Sequence, residues 1–177
     1  MTVILAFILM PLALAEADEP ANSARQSSRL LAGTSESRHS EVLKFAVAER
    51  IAKAFYSCAE RKNKPRSIHI IDQFGTTVYA GRMDGQMSDN IDAARMKAQS
   101  ALYFRQSTEV WLERGTRDPL VAGWIAELGQ FTSPVGLPII MNGQLVGAIG
   151  MGGASGDCAR EALVVVLGPQ PPPESST

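Results

Sequence analysis

The stretch that most constrains the fold is GLPIIMNGQLVGAIGMGG, Gly136 to Gly153, two apolar runs on either side of Asn142-Gly143. Asn-Gly suits a tight type I′ turn, whose twist matches that of paired strands, so the two runs are predicted to be antiparallel neighbours. A second pair lies upstream. SIHIID (Ser67–Asp72) and TTVYAGR (Thr76–Arg82) are β-rich runs joined through Gln73-Phe74-Gly75, which reads as another hairpin.

Helical periods surround these strands. From Glu41 to Asn63, the residues Leu43, Val47, Ile51, Phe55 and Cys58 recur at three- and four-residue steps, and Pro65 then stops the run. Ser88 or Asp89 can cap a second helix, whose apolar side is Ile91, Ala94, Ala98, Ala101 and Leu102; its many alanines permit close approach to a neighbour. Thr108 can cap a shorter helix carrying Val110, Trp111 and Leu112, and Asp118-Pro119 places a cap before a proline at the first helical position of LVAGWIAEL. Asp157 opens a last helix through CAREALVVVL. Helix, two strands, helices, strands, helix is an α+β order: an antiparallel sheet with helices packed on it.

The ends differ from this unit. Val3–Leu14 is almost entirely apolar, too short for a stable span, and Ala13-Leu14-Ala15 has the small-x-small form of a signal-peptidase site, although no Lys or Arg precedes the run. Residues 1–15 are therefore expected to be a signal peptide, 16–40 a flexible tether, 41–167 the folded domain and 168–177 a proline-rich, disordered tail. The expected location is periplasmic or secreted, with no stable membrane span once the signal is removed. In an oxidising compartment Cys58 and Cys158 could pair, and two separate buried thiols are the other reading.

Composition narrows the chemistry. At 45% hydrophobic and 20% charged the chain can bury a core, and a net charge of -1 gives no basis for binding nucleic acid or an anionic membrane. HExxH, CxxC, GxSxG and Walker spacings are absent, so no catalytic residue is assigned. GMGGASGD (Gly150–Asp157) lacks the GxGxxG spacing and reads as a strand passing close to another backbone. His69 sits between Ile68 and Ile70, where a hydrogen-bonded core histidine is the ordinary outcome. Trp111 and Trp124 read as helix packing. Arg82 and Asp84 fall in a loop after a strand, and Lys97 lies on an alanine-rich helix.

Three segments, GRMDG, IDAARMKAQSALYFRQST and GLPIIMNGQLVGAIGMGGASGD, resemble in order and spacing the GlcG/HbpS family, which includes secreted haem-binding proteins and the C-terminal domain of propanediol-utilisation-type cobalamin adenosyltransferases. The resemblance covers about 41–167. It implies a profilin-like three-layer domain, a five-stranded antiparallel sheet with helices on both sides, assembling into homo-oligomers. It places Arg82, Asp84 and Gly85 in the family's RMDG loop, Lys97 and Ala98 on its KA position, and Phe104, Arg105 and Thr108 on its FR.PT segment. The final hairpin matches at Gly136, Pro138, Gly143, Gly147, Ala148, Ile149 and Gly150. The chain departs from the pattern at His69, at Ser107 in place of a proline, and in ELGQFTSPVG before that hairpin.

What the resemblance implies is an oligomer binding a small molecule, haem or a related tetrapyrrole. A porphyrin needs an apolar slot, cations near its propionates and an axial donor. Arg82, Lys97 and Arg105 are the candidate cations, with Asp84 beside them, and these are expected to converge on one recess. His69 or Met83, Met87 or Met96 is the candidate axial donor. Two alternatives stay open: an accessory or metabolic protein acting on a small 2-hydroxy or oxo acid, with Arg82 and Lys97 holding the carboxylate and Asp84 moving a proton, or a structural oligomerisation domain fixed by the same charges.

Overall fold

The structure is a computed structural model that describes residues 41–153 and 157–171. The expected signal peptide, the tether and residues 172–177 of the tail lie outside the described residues. The elements are α1 (Phe45–Arg61), β1 (Ser67–Asp72), β2 (Thr77–Arg82), α2 (Asp89–Phe104), α3 (Thr108–Arg117), α4 (Pro119–Glu127), β3 (Gly136–Met141), β4 (Gln144–Gly152) and α5 (Asp157–Leu167). The strands form one antiparallel sheet in the order β2-β1-β4-β3, so the two hairpins meet where β1 pairs with β4.

The α+β class holds, with four strands among the described residues where five were expected. The segment before β3 is irregular, and side chains take up three of its backbone groups. Phe131 N donates to Ser100 Oγ (2.7 Å), Ser133 O accepts from Thr108 Oγ1 (3.1 Å), and Pro134 O accepts from Lys97.

Period-two alternation splits the sheet between two helical layers. Ile68 and Ile70 of β1, Ile149 and Met151 of β4, and Leu137 and Ile139 of β3 join Ile51 and Phe55 of α1 and Ala159, Ala162 and Leu163 of α5 in the main core. On the other face, Ile71 and Ala148 meet Ala98 and Ala101 of α2. There the helix backbone rests directly on the strands: a Cβ at Gly150 would lie 1.8 Å from Ala94 O, and one at Gly136 would lie 2.2 Å from Lys97 O. Only glycine permits that approach, so the alanine-rich helix and the glycine-rich hairpin are one packing solution.

Cys58 of α1 and Cys158 of α5 form a disulfide across 100 residues. Ion pairs Arg61–Glu161 and Lys62–Asp157 flank it and join the same two helices. On the chain-entropy model a loop of that length stabilises the fold by about 4.7 kcal/mol. The disulfide also fixes α5 against α1, and α5 forms one wall of the groove described next.

Candidate functional site

The structure separates the three cations that the sequence grouped. Arg82 ends β2, at one sheet edge, and its guanidinium donates to Gln86 O within its own loop. Asp84, in that loop, is exposed. Arg105 follows the last residue of α2, a helix of 16 residues. That helix rises about 24 Å, so Arg82 before its start and Arg105 after its end cannot meet in one chain.

Lys97 belongs to the interior. It is 5% exposed, and its ammonium donates to Pro134 O (2.5 Å) and Met151 O (3.0 Å). It pins α2 to the end of β4 and to the coil before β3. Burial pulls its pKa below the ordinary lysine value. The expected convergence of Arg82, Lys97 and Arg105 therefore fails within one chain: a helix spans the distance between two of them, and backbone carbonyls occupy the third.

His69 lies on the α2 side of β1, between Ala80 of β2 and Gly150 of β4. It is 6% exposed; Nε2 is 2.8 Å from Thr77 Oγ1, and Nδ1 is buried without a hydrogen-bond partner among the described residues. Burial, reinforced by Arg95 and opposed by Asp92, pulls its pKa below the ordinary imidazole value. Among the described residues, no group of three or more His, Cys, Asp or Glu could hold a metal ion.

Arg105 reaches the feature that does look built to hold a ligand. A groove of about 340 Å³ runs along the outer edge of β3. Its apolar walls are Leu137, Pro138 and Ile140 of β3, Leu163 and Val164 of α5, and Pro171. Two arginines, Arg105 and Arg160, line it as well, and Gln106, Ser107 and Gln170 complete the lining. A second, more open recess of about 550 Å³ adjoins it, sharing Ile140, Gln170 and Pro171 and adding Met141 and Asn142. Together they form a trough whose first part falls at the lower end of the usual ligand-pocket range.

Local sequence explains each wall. Arg105 terminates α2 in the left-handed region (φ 56°), a position where glycine is the usual residue and where other side chains carry a steric cost. A long cationic side chain is kept at a strained turn that opens onto the groove. Thr108, fully buried, accepts from Gly136 N (2.9 Å), which ties the start of α3 to the start of β3 and holds the turn in register. Pro138 leaves the open edge of β3 without a ladder donor at that point, and Ile140 N donates to Gln170 Oε1 (3.2 Å), so the edge is blocked as a template for another strand.

Arg160 pairs with Glu109, the second residue of α3, and Glu109 Oε2 also accepts from Ser107 Oγ (3.2 Å). The pair is more than a third exposed at both side chains, so it contributes little stability and exchanges partners at small cost. Arg160, Glu109 and Gln170 were missed by sequence reasoning. Arg160 stands singly on an amphipathic helix, where it reads as a solvated charge, and only the β3–α5 approach brings it into a site. The proline-rich composition of the tail hid Gln170 in the same way.

Residues 43–165 match the family model described as HbpS-like, haem degrading protein HbpS-like. A relative from Citrobacter freundii, an uncharacterised 15.0 kDa protein in the dhaT-dhaS intergenic region, is 29% identical over 117 residues, 62% of this chain and 79% of that protein. Among solved structures, the PduOC:heme complex aligns with a TM-score of 0.66 at 22% identity, covering 71% of this chain and 96% of that one. HbpS aligns with a TM-score of 0.65 at 25% identity, covering 72% and 92%. A double mutant of Streptomyces reticuli HbpS gives 0.65 at 22%, covering 90% and 98%. The chain belongs to the HbpS-like family.

Proposed function

We propose that this HbpS-like chain is an exported, oligomeric, profilin-like protein that binds haem or a related tetrapyrrole without transforming it, in the groove between β3 and α5. The observation that carries the reading is the pairing of two guanidiniums, Arg105 and Arg160, with an apolar trough. A porphyrin has an apolar face and an acidic rim; the walls from Leu137 to Val164 suit the face, and forked guanidiniums suit the rim carboxylates. Family membership and the heme complex of a structural neighbour support the same ligand class.

Export is supported by the Cys58–Cys158 disulfide, a bond that persists in oxidising compartments, and by the apolar N-terminal run. Among the described residues no helix is long and apolar enough to cross a membrane. Assembly into oligomers is supported by α4, which leaves Leu120 84% and Trp124 46% exposed. The alternative of a small hydroxy or oxo acid has less support, because Lys97 is committed to backbone carbonyls and a small acid leaves most of the apolar trough unfilled.

The test is a haemin titration of purified protein followed at the Soret band. Micromolar or tighter binding is expected, weakened about tenfold by Arg105→Ala, a change of ~1.4 kcal/mol, and untouched by Arg82→Ala. Absence of any Soret shift, or equal loss in both variants, contradicts the assignment.

A further inference from the structure

An iron porphyrin presents three things to a protein: an apolar face, a carboxylate rim and a metal with two axial positions. The groove answers the first two. Its lining among the described residues contains arginine, glutamine, serine, proline and aliphatic side chains, with no imidazole, thiol or thioether. The nearest such group in the trough is Met141, in the adjoining recess, and its side chain packs against the main core. His69, the axial candidate from sequence, lies on β1, with β4 between it and the groove strand. Its Nε2 is engaged with Thr77, and its ring lies under α2.

The residues present therefore fit the macrocycle and its acids, and they do not fit the iron. We propose that the groove is a metal-indifferent site: it selects an apolar, flat body carrying carboxylates, and metal-free tetrapyrroles belong to its ligand class on equal terms with haem. This rests on the proposed haem-type reading of the same groove and narrows it.

The charge arrangement sets the acid part of the preference. Arg160 already has a resident carboxylate in Glu109, whereas among the described residues no ion pair engages Arg105, which stands exposed at the strained end of α2. A first ligand carboxylate takes Arg105. A second takes Arg160 only by displacing Glu109, an exposed pair that exchanges cheaply. The groove so recognises carboxylates on an apolar body, through groups that a metal centre does not touch.

The experiment compares three ligands on the full chain: haemin, metal-free protoporphyrin and the dimethyl ester of metal-free protoporphyrin, each titrated by quenching of the intrinsic fluorescence of Trp111 and Trp124. Those rings cluster with Phe104, the residue before Arg105 (Phe104–Trp111 centroids 4.1 Å apart). Expected are affinities for haemin and metal-free protoporphyrin within threefold, and at least tenfold weaker binding of the dimethyl ester. Haemin bound tenfold or more tightly than the metal-free acid overturns metal indifference while the haem-type reading survives. Loss of that advantage in Met141→Leu or His69→Gln then identifies the ligating atom. Equal binding of the dimethyl ester overturns the carboxylate preference, and failure of all three ligands overturns the haem-type reading with it.

Discussion

Replacing Lys97 by methionine separates an internal pin from a ligand cation. Methionine keeps most of the apolar stem and removes the ammonium that bonds Pro134 O and Met151 O. Each carbonyl left buried and unpaired costs about 1–3 kcal/mol. Removing a desolvated ammonium returns part of that loss, as its depressed pKa indicates. The net expectation is a destabilisation of about 3 kcal/mol, the middle of the range for two carbonyls less the relief. At ~4 °C per kcal/mol for a domain of this size, the melting temperature falls by about 12 °C. Thermal melts by circular dichroism and urea midpoints measure the stability, and a haemin titration below the melt measures binding. Stability within about 1 kcal/mol of the parent, together with a tenfold weaker haemin affinity, would refute the reasoning and return Lys97 to the ligand.

Three further outcomes follow from the same geometry. His69 has a folded-state pKa below its unfolded value of 6.5, so the unfolded chain holds more protons below that pH; its contribution to stability is complete above about 6.5 and lost as pH falls towards the lowered value. The difference between parent and His69→Gln should slope in that window by at most ~1.4 kcal/mol per pH unit, and a pH-independent difference by urea titration argues against burial as the cause. Reducing the disulfide, or replacing both Cys58 and Cys158 by serine, should lower the unfolding free energy by up to about 4.7 kcal/mol, and an unchanged urea midpoint contradicts the bond. Gly150→Ala drives a Cβ to 1.8 Å from Ala94 O and is expected to cost about 3 kcal/mol or prevent folding, whereas Gly123→Ala meets no atom of the described residues within 4 Å and should stabilise α4 by up to about 1 kcal/mol; equal melting temperatures for the two variants contradict the close contact.

Strand hairpins and helices were legible in the sequence wherever the signal was local. Asn142-Gly143 marked the β3–β4 turn, Asp118-Pro119 marked the start of α4, and Ser67–Asp72 matches β1 residue for residue. The first helix starts at Phe45 instead of Glu41, because Lys44 is extended. That the segment from Phe131 to Pro134 gives its backbone groups to side chains was not legible, since Ser100, Thr108 and Lys97 reach it from distant positions. The charges failed for a related reason. A lysine on an alanine-rich helix looks the same in sequence whether it meets solvent, a ligand or two carbonyls. Arg82 and Arg105 both carry a family motif, and their separation was legible in the helix predicted between them, whose 16 residues rise about 24 Å. Arg160 enters the site through the packing of α5, which no local pattern encodes.

A crystal structure of the protein grown with metal-free protoporphyrin tests the account most directly. The macrocycle is expected against Leu137, Pro138 and Leu163, with one carboxylate within hydrogen-bond distance of Arg105 and no protein atom aimed at its centre. A macrocycle seated beside Arg82, or under α2 at His69, would contradict it.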